Sequence, residues 1–292
     1  MEKKLNKIKV IIPFYNPGQF LEMCVNSVLT QDYDNYEVLF IDDCSTDGSY
    51  DKIPACTFKT NPDGTPELDS DGQPIIESQH PILEVTKCKN VVAWRASERN
   101  SALPNIHNGV MNFCTDPEDI VVLLDGDDWL FNKNSLSYIN DYYNEHNCWI
   151  MYGSSKWTDG RRCCAMPYTK EEFPHLRSIP FKVSHIRTFR AGIYHEIGKQ
   201  DPNFSCFKDK TGEWYRMTYD VAIFFPLLEI AGFDKVKYNE KPLYIYNRGN
   251  PISDDKVNQQ LQWDIHTEIS KKSKFKQIEN YNEQPAQEVN NV

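Results

Sequence analysis

Short β-branched apolar runs alternate with segments of helical period through the first half of the chain. Lys9 to Phe14 (KVIIPF) reads as a strand closed by Pro13, and Tyr36 to Ile41 (YEVLFI) as a second. Between them, Phe20, Leu21, Cys24 and Val28 recur at helical spacing, which predicts a helix over 20–29. Asn90 to Trp94 predicts a third strand and Ile120 to Leu124 a fourth. A helix over 103–113 lies between these two, with Leu103, Ile106, Val110 and Phe113 on one face and Pro104 in its first turn. Strand–helix–strand alternation with uniformly apolar strands predicts an α/β fold around a mostly parallel sheet covered by helices on both faces.

The second half is less regular. Trp149 to Tyr152 and Val236 to Tyr246 read as extended, and Thr218 to Ala231 as helix. Residues 54–80 are dense in Pro, Gly, Asp and Thr and predict an inserted loop or hairpin. Beyond Asn280 the chain is rich in Asn, Gln and Glu with almost no core residues, which predicts a disordered tail. The expected organisation is one domain over 1–252, split into halves 1–130 and 131–252, followed by a helix and tail over 253–292.

Polar groups gather where apolar strands end: Tyr15-Asn16, Asp42-Asp43, and Asp125-Gly126-Asp127-Asp128. In an open parallel sheet, ligands bind at the carboxyl ends of the strands. Three carboxylates directly after a buried strand are costly unless a cation neutralises them or water reaches them. Asp125 and Asp127 can aim at one Mg²⁺ or Mn²⁺, which would complete its oxygen shell with phosphates and water. The competing reading is a solvated acidic turn.

Charge and composition narrow the field. The 292 residues carry a formal net charge of −10, and Lys and Arg form no long cluster, which argues against a nucleic-acid partner. An anionic substrate would need a metal as counter-charge. No segment has the roughly 20 apolar residues of a membrane span. Met1-Glu2-Lys3-Lys4 leads directly into a strand, so no signal peptide is expected. Nine cysteines without a CxxC pair predict reduced thiols, hence a cytoplasmic location.

Taken together, VIIPFYN (10–16), FIDDCSTDGS (40–49) and VVLLDGDDWL (121–130) resemble family 2 glycosyltransferases of the GT-A fold, over residues 8–135 most clearly. The resemblance implies a nucleotide-sugar donor, UDP-linked by expectation, at Pro13, Tyr15, Asp43, Arg99, Asn105, Asp125 and Gly126. Tyr15 would stack on the base, and Asp43 would accept the imide N–H of uracil with Asp42 in support. It further implies a metal held by Asp127 and Asp125 with Asp128 assisting through water, and Arg248 in a loop over the diphosphate. Thr218-Tyr219-Asp220 resembles the family's acid-opened helix, with Tyr219 where Glu is commoner, so Asp220 is the expected base for an inverting transfer. His185 is a further candidate ligand, and Lys156 and Trp157 candidates for an acceptor pocket. The acceptor itself is left open: glycan, protein, lipid or small molecule.

Each of these residues also has a structural reading: strand-end aromatic for Tyr15, helix N-cap for Asp43 and Asp220, surface charge for Arg99. Two other functions compete. A sugar nucleotidyltransferase would need a Gly-rich basic loop where Pro13-Phe14-Tyr15-Asn16-Pro17 stands, and a non-catalytic nucleotide-sugar binder would share the fold. Trp129 rules out both a dehalogenase-type DxDx[TV] run and a Ca²⁺ loop.

Overall fold

The computed structural model describes residues 4–53, 82–88, 90–161, 163, 165–251 and 258–281. In chain order these form β1 (Ile8–Phe14), α1 (Phe20–Leu29), β2 (Tyr36–Asp42), β3 (Ile82–Cys88), β4 (Val91–Ala96), α2 (Ala102–Phe113), β5 (Ile120–Leu123) and β6 (Trp129–Leu130). Then follow α3 (Ser135–His146), β7 (Ile150–Tyr152), β8 (Ser155–Trp157), β9 (Arg187–Arg190), α4 (Ala191–Gln200), α5 (Tyr219–Ala231), β10 (Val236–Tyr238), β11 (Tyr244–Tyr246) and α6 (Gln259–Ser270). The inserted segment expected over 54–80 and the tail from 282 onward lie outside the described residues.

The main sheet has the order β10-β7-β9-β5-β1-β2-β4-β3. β1, β2, β4 and β5 run parallel, as their apolar sequences predict, while β3 pairs antiparallel with β4. β9 enters antiparallel between β5 and β7, with Leu123 opposite Arg187. That reversal matters for the site: the first residue of β9 arrives at the edge where β5 ends.

Two buried clusters sandwich the sheet. Ile11, Leu39, Val121 and Leu123 face α2, α4 and α5, whereas Val10, Ile12, Val38 and Val122 face α1 and α3. Alternate residues of one strand thus feed opposite cores, which is why the strands are apolar throughout. α2 lies close over the sheet at Gly109, where a Cβ would meet Ile41 Cδ1 at 3.0 Å.

The extended reading of 236–246 divides. β10 joins the main sheet beside β7, while β11 lies between β6 and β8 in a second, three-stranded sheet. This small sheet stands above the carboxyl end of β5 and carries Tyr244 and Tyr246 toward the acids there. No helix among the described residues is long and apolar enough to cross a membrane.

Candidate functional site

The loops after β1 and β2 are laced together. Asn16 N donates to Ser45 Oγ at 2.9 Å, Thr46 N to Asn16 Oδ1 at 2.8 Å, and Gly18 N to Asp47 Oδ2 at 2.9 Å. Several corners around the edge hold non-glycine residues in the left-handed region: Asn16 (φ 46°), Cys44 (65°), Ser101 (74°) and Thr218 (62°). Such conformations persist where surrounding contacts over-determine them, and they cluster at ligand sites.

Asp43, 4% exposed, is held by three donors. Its Oδ1 accepts from Asn100 N at 2.7 Å and Asn105 Nδ2 at 2.8 Å, and its Oδ2 from Ser101 N at 2.9 Å. Arg99 lies 4.0 Å from the same carboxylate, with its guanidinium 4.0 Å over the Tyr15 ring. The structure therefore brings Tyr15, Asp43, Arg99 and Asn105 to one corner. Asn105 is buried beside Asp43, to which it donates. Asp42 is fully buried, accepts from Ser45 N at 2.8 Å, and pairs with Arg95 at 3.3 Å. Burial pushes its carboxyl above the ordinary range against Ser45 and Arg95.

After β5 the chain turns tightly, with Asp128 N donating to Asp125 O at 3.0 Å. Gly126 is required there by β1. Its N–H meets Pro13 O at 3.1 Å, and a Cβ would stand 2.4 Å from Phe14 Cβ. Pro13 and Gly126 are thus both buried at this strand contact. The turn sets Asp125 and Asp128 on one side and Asp127 at the corner, where Asn250 Nδ2 donates to its Oδ2 at 2.7 Å. Asp128, 1% exposed, accepts from Tyr244 Oη and from Asn247 N, each at 2.6 Å.

His185 completes the group. Single ligand atoms of Asp125, Asp128 and His185 lie within 4.8 Å of one another, whereas the sequence pointed to Asp125 and Asp127 as the metal pair. The imidazole stacks on Tyr244 and Tyr246, with ring centroids 4.5 and 5.1 Å apart. Its Nε2 is buried 3.3 Å from Asp125 Oδ2 but makes no hydrogen bond to any described residue. Burial and the Arg187 charge lower the imidazole pKa, against the opposing pull of Asp125 and Asp220. Burial pushes the Asp128 carboxyl well up, reinforced by Asp127 and Asp125. Burial also opposes the Asp125 anion, yet His185, Arg187 and Tyr219 outweigh it and hold that carboxyl low. Two carboxylates, an orphaned imidazole nitrogen and a third acid on the rim suit a divalent cation.

Across from this group, Asp220 opens α5. Its Oδ2 accepts from Arg187 Nη2 at 3.0 Å, and Arg187 Nη1 donates to Tyr219 Oη at 2.9 Å. Tyr219 Oη in turn donates to Asp125 Oδ1 at 2.6 Å. Asp220 and the DGDD acids are therefore joined through two side chains. Arg187 was missed from sequence because an Arg in RTFR reads as surface; its place two residues after the candidate ligand His185, at the start of β9, is the signal that was there. On the small sheet, Arg248 lies over Trp157 and Tyr246, 5.4 and 5.6 Å from their ring centroids, and Lys156 lies over Phe131.

The fold, a mostly parallel sheet flanked by helices with acids at the carboxyl end of β5, is similar to that of GT-A glycosyltransferases of known structure. Residues 9–58 match the family model for glycosyl transferase family 2, so the chain's first strands carry that family's signature. Glycosyltransferase GlyG of Streptococcus pneumoniae serotype 4 is 41% identical over 54 residues, 18% of this chain and 18% of that protein. The poly(ribitol-phosphate) β-N-acetylglucosaminyltransferase TarS of Staphylococcus aureus is 24% identical over 157 residues, 53% of this chain and 22% of that protein. The structure of TarS residues 1–349 superposes with TM-score 0.54 at 16% identity, over 82% of this chain and 60% of that one. A Pyrobaculum calidifontis mannosyltransferase in complex with GDP-Man and Mn²⁺ gives TM-score 0.50 at 13% identity, over 90% and 61%. The chain spans less than two thirds of these relatives.

Proposed function

We propose that this chain is a metal-dependent, inverting glycosyltransferase that moves a hexose from a UDP-sugar to an acceptor hydroxyl. The observation that carries this reading is the Asp125–Asp128–His185 group beside β5, joined through Arg187 and Tyr219 to Asp220 on α5. Tyr15 and Arg99 form a platform for the base, and Asp43, fixed by three donors, keeps one lone pair on Oδ2 for an imide N–H. Asp220 takes the proton of the acceptor hydroxyl as its oxygen bonds the anomeric carbon and the carbon–diphosphate bond breaks on the opposite face. Mn²⁺ or Mg²⁺, held by Asp125, Asp128 and His185 with Asp127 at the rim, would supply positive charge to the departing diphosphate. Arg248 adds a fixed cation above it.

The relatives support the donor class: TarS 1–349 has been solved in complex with UDP-GlcNAc, and the archaeal neighbour with GDP-Man and Mn²⁺. The test is release of free nucleoside diphosphate from a panel of UDP-, GDP- and dTDP-sugars, with Mn²⁺ and with EDTA. Mn²⁺-dependent release from a UDP-sugar is expected. Thermal stabilisation by UDP and Mn²⁺ without turnover of any donor, across a panel of acceptors, would instead make the chain a nucleotide-sugar binder.

A further inference from the structure

Tyr219 occupies the position where the acid-opened helix of the resembled family commonly has Glu. A carboxylate there would stand beside Asp125 and compete for Arg187. The phenol does something a carboxylate cannot: it accepts from Arg187 Nη1 at 2.9 Å and donates to Asp125 Oδ1 at 2.6 Å through the same oxygen. The bonds run in one direction, from guanidinium through hydroxyl to carboxylate. The other Nη of the same guanidinium donates to Asp220 Oδ2 at 3.0 Å. Arg187 has little freedom to turn elsewhere: its side chain is 7% exposed, it sits 5.3 Å over the Tyr219 ring, and both Nη atoms are hydrogen-bonded. The position of the Asp220 carboxylate and that of Asp125 are therefore fixed by one shared cation and one hydroxyl.

We propose that Tyr219 is a positioning residue that ties Asp220 on α5 to the Asp125 ligand edge through Arg187, setting both the base and the metal-binding carboxylate. The inference rests on the transferase reading and deepens it. Tyr219 touches neither the acceptor hydroxyl nor the diphosphate in this assignment. It acts by holding Asp125 Oδ1 so that Oδ2 faces His185, and by keeping the guanidinium where it meets Asp220. Loss of such an outer partner typically weakens metal affinity or activity by 10- to 100-fold.

The experiment compares the full chain with its Tyr219→Phe variant, which keeps the ring and removes only the hydroxyl. Calorimetric titration with Mn²⁺ is expected to show affinity weakened about 10-fold or more. At saturating Mn²⁺, kcat should fall while KM for the nucleotide-sugar stays near the wild-type value, and the thermal midpoint should move little. A structural role alone would lower the midpoint and leave Mn²⁺ affinity and kcat unchanged, and that result overturns the proposal. If wild type turns over a donor and the variant matches it in kcat and Mn²⁺ affinity, the tie falls and the transferase reading stands. If wild type binds Mn²⁺ without turnover and the variant binds it more weakly, the tie stands and the transferase reading falls. A wild-type protein that neither binds Mn²⁺ nor turns over a donor overturns both.

Discussion

Glu229→Ala should be among the most destabilising single changes in the second half of the chain, and the structure allows its size to be worked out. Glu229 lies on α5 and forms a bidentate pair with Arg177, Nε to Oε1 at 2.6 Å and Nη2 to Oε2 at 2.8 Å. The two side chains are 4% and 7% exposed. Arg177 Nη1 also donates to Ile269 O at 2.8 Å at the end of α6, and Phe275 N donates to Glu229 Oε2 at 2.9 Å. Removing the carboxylate strands a buried guanidinium, for which about 3–5 kcal/mol is typical. It also leaves the Phe275 N–H without its acceptor, a further ~1 kcal/mol if water does not reach it. At about 2 °C per kcal/mol for a chain of this size, the thermal midpoint should fall by roughly 8–12 °C. The double variant Arg177→Met/Glu229→Ala removes both charges and should cost far less than Arg177→Met and Glu229→Ala added together. Urea denaturation of the four proteins, read as a double-mutant cycle, measures this. A Glu229→Ala loss below about 1 kcal/mol, or strict additivity, would refute the claim that this pair fastens the C-terminal segment to α5.

Gly126→Ala should destabilise by about 2 kcal/mol or more, because its Cβ would meet the Phe14 Cβ at 2.4 Å; denaturant melts check this, and a neutral result would mean the β1–β5 contact yields easily. Asp43→Asn presents an amide N–H₂ to donors now satisfied by a carboxylate, so UDP affinity should fall at least about 10-fold in a binding titration, with about 1–2 kcal/mol of stability lost. Asp119 is pushed up from 3.8 to about 6, chiefly by burial. The folded state therefore holds the extra proton between about pH 4 and 6, and stability falls as pH rises through that window. Asp119→Asn should remove the fall and gain up to about 3 kcal/mol relative to wild type at pH 8 compared with pH 4, measured by urea melts at both values. Ranking Mn²⁺ affinity in Asp125→Asn, Asp128→Asn, His185→Ala and Asp127→Ala tests the ligand set. Losses are expected for the first three, with a smaller loss for Asp127→Ala, and a dominant Asp127 would restore the pair read from sequence.

The donor-side architecture was legible because it rests on local periodicity. KVIIPF, YEVLFI and IVVLL are buried on both faces, and such strands announce themselves as unbroken apolar runs ending in polar turns. α1 and α2 were placed within a residue or so because their apolar stripes match the cores they face, and α5 because it is apolar almost all round. β9 was not legible. Its sequence RTFR is wholly buried, yet Arg187 donates through its two Nη atoms to Tyr219 and Asp220, and Arg190 to Glu118 O and Asn6 Oδ1, partners far away in sequence. Burial of a charge depends on such partners, and no local pattern encodes them. The division of 236–246 escaped for a related reason: which sheet a strand joins is decided by what lies beside it. The three acids of the DGDD turn were evident, but their sorting into Asp128 inward and Asp127 outward follows from a turn closed against Pro13 and from Tyr244 descending from the small sheet.

The reversed direction of β9 has a consequence for how the chain is made. β5 is flanked on one side by β1 and on the other by β9, and more than sixty residues separate the end of β5 from its second neighbour. While the chain emerges from the ribosome, Ile120-Val121-Val122-Leu123 has its backbone ladder open on that side until residues 187–190 have been made. An uncovered, uncharged edge of this kind recruits other strands, including those of neighbouring nascent chains. A fragment ending near residue 130 would keep the donor corner intact in sequence but would carry that open edge permanently, and it should aggregate where the longer chain does not. The strand that brings Arg187 to Asp220 is thus also the one that covers β5 and joins it to β7 and β10.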